Sequence, residues 1–211
     1  MPEITAPMEI EKRSFEIITE TLGNRRIDPE NEAVIKRVIH TTADFDFADT
    51  LVFSEHAVSK GIAALKSGCD IVTDTQMAKA GINKQILQSL GGEVHCFMSD
   101  PDVAEEAKAR GVTRAMVSME KASKLPKQCI YAIGNAPTAL FVLRELIDKG
   151  RLANAALIVA VPVGFVNVVE GKELIIASGV PHIAARGRKG GSSVAAAICN
   201  AMLYQIKRIQ R

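Results

Sequence analysis

A three-layer α/β/α architecture on a mainly parallel five-stranded sheet is what this sequence of 211 residues predicts. Short apolar runs at Asp70 to Thr73, Glu93 to Phe97, Cys129 to Ile133, Ala156 to Val161 and Val180 to Ala184 recur with helical patterns between most of them. That alternation produces right-handed βαβ crossovers and hence parallel pairing, with both faces of the sheet covered. Composition agrees: hydrophobic residues make up 47%, aromatics only 4% and Trp is absent, so the core must be filled by aliphatic and alanine side chains, as in helices packed on a parallel sheet. No Pro/Ser-rich or charged linker divides the chain, and one domain over residues 1–211 is expected.

The balance of charge limits the partners. Lys plus Arg number 26 against 24 for Asp plus Glu, a net charge of +2, too small for nucleic-acid binding by bulk electrostatics. An anionic ligand must therefore be met locally. Cys69, Cys96, Cys129 and Cys199 form no C-x-x-C pair and lie in apolar surroundings, the pattern of buried reduced thiols. The N-terminal MPEITAPMEIEKRSF has no basic segment followed by an apolar one, and no apolar run approaches the ~18 residues of a membrane span. A cytoplasmic protein with no membrane partner is expected.

Taken in order, the first helix is predicted over Ile10 to Leu22, with Gly23 as its cap and an apolar face through Ile10, Ile17, Ile18 and Thr21. Ser14 falls in the middle of that face, where it can bond back to the Ile10 carbonyl or face a polar ligand. The second, Asp28 to Asp44, has a strong start signal: Asp28 can cap it, Pro29 fits its first position, and Glu30 and Glu32 complement the dipole. Val34, Ile35 and Val38 form its apolar stripe. Arg37 and His40, three residues apart, are neighbours on its surface. The helix C-terminus favours the imidazolium form of His40 and the neighbouring guanidinium the neutral ring, a balance suited to a proton donor, although a partly exposed helix-end histidine would read the same way. Phe45 to Phe53 is mixed in character, and Glu55 to Ser67 reads as a helix ending at Gly68.

From there the strands alternate with helices over Asn83 to Leu90, Asp100 to Ala109, Pro137 to Lys149 and Val166 to Ser178, and Ser192 to Ile209 closes the chain. Ligands of such sheets bind beyond the carboxyl ends of the strands, so the segments after each strand matter most. They are Thr73-Asp74-Thr75, Ser99-Asp100-Pro101, Gly134-Asn135-Ala136-Pro137-Thr138, Pro162-Val163-Gly164-Phe165 and Arg186-Gly187-Arg188-Lys189-Gly190-Gly191-Ser192-Ser193, and they should line one rim. The last is the most basic part of the chain and runs into a helix N-terminus, so it should attract anions through Arg186, Arg188, Lys189 and free amides. It lacks the spacer of a phosphate-binding Walker loop, and GNAPT lacks the dinucleotide fingerprint. Asn135 can cap the following helix or contact a ligand. Arg114 opens a short helix capped by Thr113, where a cation opposes the dipole and invites an anion. His56, His95 and His182 are scattered and read as structural, with no Cys/His cluster for a dedicated metal site. A nucleophile elbow is absent.

The motifs RVIHTTADFD, TDTQM, DP-x-V, TRAMVSMEKA, IGNAPTAL, PVGFVNVVEGKE and RGRKGGSSVAAAICNAM, in this order from about Ile10 to the last helix, resemble those of the precorrin-8X methylmutase family, also known as cobalt-precorrin-8 methylmutases. The resemblance implies a flavodoxin-like fold, a homodimer, and a late step of corrin-ring synthesis in which a methyl group moves from carbon 11 to carbon 12 without redox cofactor or external methyl donor. It implies that His40, the histidine of the R-x-x-H motif, is the proton donor and acceptor, and that Arg37 and Ser14 contact the substrate. A polycarboxylate corrinoid suits the anion-seeking rim, with Arg114, Asn135 and Arg186 as further contacts and Val163 and Phe165 as cover for the ring. A non-catalytic tetrapyrrole carrier is the alternative from another class. A flavin or nucleotide protein follows only by analogy with the scaffold.

Overall fold

The structure is a computed structural model that describes residues 6–209. The first five residues, which begin the segment read as lacking a leader, lie outside it, as do the last two. The elements follow as α1 (Pro7–Leu22), α2 (Glu32–Thr42), α3 (Phe47–Thr50), β1 (Leu51–Phe53), α4 (Ala57–Lys66), β2 (Asp70–Thr73), α5 (Gln76–Gly81), α6 (Lys84–Ser89), β3 (Val94–His95), α7 (Pro101–Arg110), α8 (Arg114–Ala122), β4 (Cys129–Ile133), α9 (Pro137–Asp148), β5 (Ala155–Ala160), α10 (Val168–Ile176), β6 (His182–Ala185) and α11 (Ser192–Ile209). No helix among the described residues is long and apolar enough to cross a membrane.

The sheet has six strands in the order β1-β6-β5-β4-β2-β3. The five expected strands are all present and pair in parallel. Numbered among themselves, they run 2-1-3-4-5, the flavodoxin-like order whose connections reverse direction between the first and third strands. The sixth strand is an addition: β1, from the segment of mixed character, pairs antiparallel with β6, Leu51 opposite Ala185. Its three residues are too few to show a period. At the other edge β3 keeps only Val94 and His95 of the five residues expected.

Every residue of β2, β4 and β6 is buried, which explains why these runs do not alternate in the sequence. The alternation is instead between two cores. Ile71, Ile130, Ala132, Leu157, Val159 and Ile183 face the side covered by α4 and α11. Val72, Tyr131, Ile133, Ile158, Ala160 and Ala184 face α8, α9 and α10. The four cysteines are free and buried, and burial pushes the thiols of Cys69, Cys129 and Cys199 up to about 12, leaving them protonated and inert.

Outside α11 lies α2, which buries Val34, Ile35, Val38 and Ile39. It starts three residues later than Pro29 suggested. Asp28 accepts from the Glu30 N–H in a local turn, and Glu30 accepts from the Ser59 amide and hydroxyl at the start of α4 instead of serving the α2 dipole. Against α2 packs α1, of which Ile18 and Leu22 are buried while Ile10 and Ile17 remain nearly half exposed, at 47% and 46%. The expected apolar face of α1 is thus only partly covered.

Candidate active site

The carboxyl ends of the parallel strands are knit into one continuous rim. At the point where the strand order reverses, between β2 and β4, the fully buried Asp74 carboxylate accepts from the backbone N–H groups of Gly134 (2.9 Å), Asn135 (2.7 Å) and Ala136 (2.6 Å). Burial raises its pKa, with those three donors acting against the rise. Next to it the Thr75 and Ser192 hydroxyls meet at 2.8 Å, tying the end of β2 to the start of α11. Gly134 permits that approach: a Cβ there would sit 2.7 Å from the Ser192 Cα. Val163 donates to the Gly134 carbonyl and Gly164 to that of Arg188, so the loops after β4, β5 and β6 are joined as well. The N–H groups of Gly134, Asn135 and Ala136 are taken by Asp74, so the start of α9 offers no free amide cradle for a phosphate.

Three of the six expected site residues stand on this rim. Arg114 is the exposed first residue of α8, whose cap is Thr113: its hydroxyl accepts from Met116 and meets the Thr138 hydroxyl of α9 at 2.9 Å. Asn135 is exposed three residues before Thr138; its side chain does not cap α9, the N-cap being Ala136 without a side-chain bond. Arg186 is exposed in the basic loop and paired with Glu173 of α10 at 3.3 Å. The apolar cover is present too, with Phe165 83%, Val166 76% and Val163 47% exposed, and the Arg188 guanidinium 5.9 Å over the Phe165 ring.

The other three form a second group around Phe15 of α1. The exposed His40 ring stacks on Phe15 with centroids 5.1 Å apart and planes 5° from parallel. The Arg37 guanidinium lies 4.7 Å from the same ring and 5.1 Å from that of Tyr204, and donates to Glu11 at 2.8 Å. Arg37 and His40 thus share one edge, as their spacing requires. Ser14, next to Phe15, donates to the Ile10 carbonyl at 2.8 Å, the back-bond open to any serine inside a helix. Its oxygen remains able to accept.

No hydrogen bond or ion pair among the described residues runs directly between the two groups, but Lys189 joins their supports. From the basic loop its ammonium reaches Asp44 at 2.7 Å and Asp46 at 2.6 Å, just past the end of α2 that carries His40. The bridge spans more than 140 positions and leaves no mark in local sequence. Lys189 holds the Asp44 carboxyl below its usual range. The stability this contributes is present above the unfolded carboxyl value of about 3.9 and is lost as pH falls through the lower folded value. Asp44→Asn is therefore expected to reduce the loss of stability at acid pH, read as urea midpoints from pH 6 down to about pH 3. Parallel profiles for variant and parent would count against the bridge.

A separate groove of about 940 Å³ runs between α1, α2 and α11, with Arg37 and Phe15 in its wall. Its charged residues are Glu11, Glu16, Glu20 and Glu32 against Lys12, Lys36 and Arg37. That acid excess suits a polycarboxylate poorly. On the rim Arg186 and Lys189 are met by Glu173, Asp44 and Asp46, while Arg114 and Arg188 have no ion-pair partner among the described residues and are the cations that suit it best.

The family model described as precorrin-8X methylmutase matches residues 9–205. A cobalt-precorrin-8 methylmutase of Salmonella typhimurium is 46% identical over 98% of this chain and 99% of its own. A precorrin-8X methylmutase of Pseudomonas aeruginosa is 38% identical over 92% and 93% of the two chains. The crystal structure of a precorrin-8X methylmutase from Thermus thermophilus superposes with a TM-score of 0.85 at 36% identity, covering 94% of this chain and 98% of that one. The chain belongs to the precorrin-8X methylmutase family, isomerases of cobalamin biosynthesis.

Proposed function

We propose that the protein catalyses migration of a methyl group from carbon 11 to carbon 12 of precorrin-8X or cobalt-precorrin-8, giving hydrogenobyrinate or cobyrinate, with His40 as proton donor and acceptor. Arg114, Asn135 and Arg186 hold peripheral carboxylates on the rim, and Val163 and Phe165 cover the ring. Arg37 and Ser14 contact the substrate beside His40; Arg37 keeps donors to spare after its bond to Glu11. Protonating the conjugated macrocycle makes the neighbouring carbon electron-poor and eases the methyl shift, and enclosure holds the migrating group near its target. The observation that carries this reading is the bridge from Lys189 to Asp44 and Asp46, which places the His40 end of α2 against the one strongly basic loop of a chain that matches this family over nearly its whole length.

The enzyme acts in the cytoplasm as a homodimer, a second copy covering apolar surface such as Met8, Ile10 and Ile17, which α1 leaves exposed. No cofactor is required: the methyl group stays within one molecule. Incubation with cobalt-bearing and with metal-free substrate should change the absorbance of the chromophore, and NMR should locate the methyl at carbon 12. Tight binding with the methyl still at carbon 11 would instead identify a carrier.

A further inference from the structure

Lys172 of α10 is fully buried, yet its ammonium is held by backbone carbonyls, not by a carboxylate: it donates to Gly187 and to Lys189, each at 2.8 Å. Burial, with no charged neighbour to offset it, pulls its pKa down to about 8. A lysine in such a place is costly, and an aliphatic side chain would pack there without the desolvation penalty. What the amine secures is the segment between β6 and α11, which has no regular structure and turns through Gly187 at φ 76°. Two of its carbonyls would otherwise be left without partners beneath the rim. With the backbone pinned at residues 187 and 189, Arg186 and Arg188 stay exposed beside it, and Lys189 reaches across to Asp44 and Asp46. A line of contacts therefore runs from the interior of α10 through the basic loop to the end of α2.

We propose that Lys172 is a positioning residue that fixes the Gly187 to Lys189 backbone and, through the Lys189 bridge to Asp44 and Asp46, sets His40 relative to the anion-binding rim. Its effect on turnover rests on the proton-donor reading of His40; its effect on the placement of His40 does not. It touches neither substrate nor reacting atoms, and no other side chain among the described residues donates to these two carbonyls.

The test combines a spectroscopic and a kinetic readout. The ring NMR signal of His40, assigned by its disappearance in His40→Ala, should shift in ligand-free Lys172→Met and shift similarly when Asp44→Asn and Asp46→Asn are combined. In Lys172→Met, kcat should fall about 100-fold, a larger change than the rise in KM that follows from loosening the loop of Arg186, the pattern of a misplaced reacting group. Joining all three substitutions should cost little more than Lys172→Met alone, because both cuts interrupt one path. An unmoved His40 signal, or losses that multiply in the combined variant, overturns the proposal. If Lys172→Met does not fold, Lys172→Gln, which keeps a shorter donor, carries the same measurements. Undiminished turnover in His40→Ala would sink the proton-donor reading alone, since the signal shift is independent of the chemistry.

Discussion

His40→Ala is expected to lower turnover by about 10²–10⁴-fold, the contribution typical of a positioned proton donor, while leaving fold and ligand binding nearly intact. The ring is exposed, and α2 is anchored through Val34, Ile35, Val38 and Ile39, none more than 5% exposed. Removing the imidazole sacrifices only a stacking contact with Phe15 at the surface, so the unfolding free energy from urea titration should stay within about 0.5 kcal/mol of the parent, as for other surface substitutions. Affinity for the corrinoid product should also survive, because the arginines proposed to meet its carboxylates are untouched. His40→Asn sharpens the test: its amide can hydrogen-bond but cannot exchange a proton at neutral pH, so it should be as inactive as alanine. Turnover in either variant within a few-fold of the parent would remove His40 from the chemistry.

The sequence disclosed those parts of the molecule that depend on local pattern. Burial on both faces makes β2, β4, β5 and β6 nearly continuous apolar runs, and α9 and α11 begin where Pro137 and the Gly-Gly-Ser-Ser segment say they should. The edge of α2 bearing Arg37 and His40 was legible because three-residue spacing alone makes two helical residues neighbours. The extra strand β1 was not, since three residues gain their conformation from pairing with β6. Asp28 does not cap α2 for a related reason: its carboxylate accepts from Glu30 within a turn, and the helix starts after that turn. α5 escaped notice because its six residues carry no full apolar period, although Thr75 caps it by accepting from Ala78. What local pattern could not disclose were the side chains that hold the rim together from a distance. Lys172 sits in an otherwise ordinary helix, Lys189 reads as one more cation in a basic loop, and Asp74 reads as a turn residue. Each acquires its role from groups 15 to 145 positions away.

Asp74→Ala is expected to destabilise the protein by about 3–5 kcal/mol, because three buried N–H donors lose their acceptor at roughly 1–3 kcal/mol each before any relaxation. That is a large share of the ~5–15 kcal/mol that holds a domain together. Three backbone N–H groups, of Gly134, Asn135 and Ala136, converge on this single carboxylate in a place where it has no solvent exposure. Its removal leaves all three unpaired beside the first turn of α9. The loss should fall on the rim first, because the same segment bears Asn135 and adjoins the Thr138 contact to the α8 cap, so amide exchange at residues 134–136 should quicken well before global unfolding. Asp74→Asn tests the charge state as well as the contact. Burial favours the protonated acid, yet each hydrogen bond to its two oxygens comes from an N–H, and a protonated oxygen would have to give up its role as acceptor. If the group is ionised, asparagine must turn its NH₂ toward one of those donors and should recover only part of the stability, remaining about 2 kcal/mol below the parent. Parental stability in Asp74→Asn would instead show that the acid is neutral and that only one of its oxygens needs to accept.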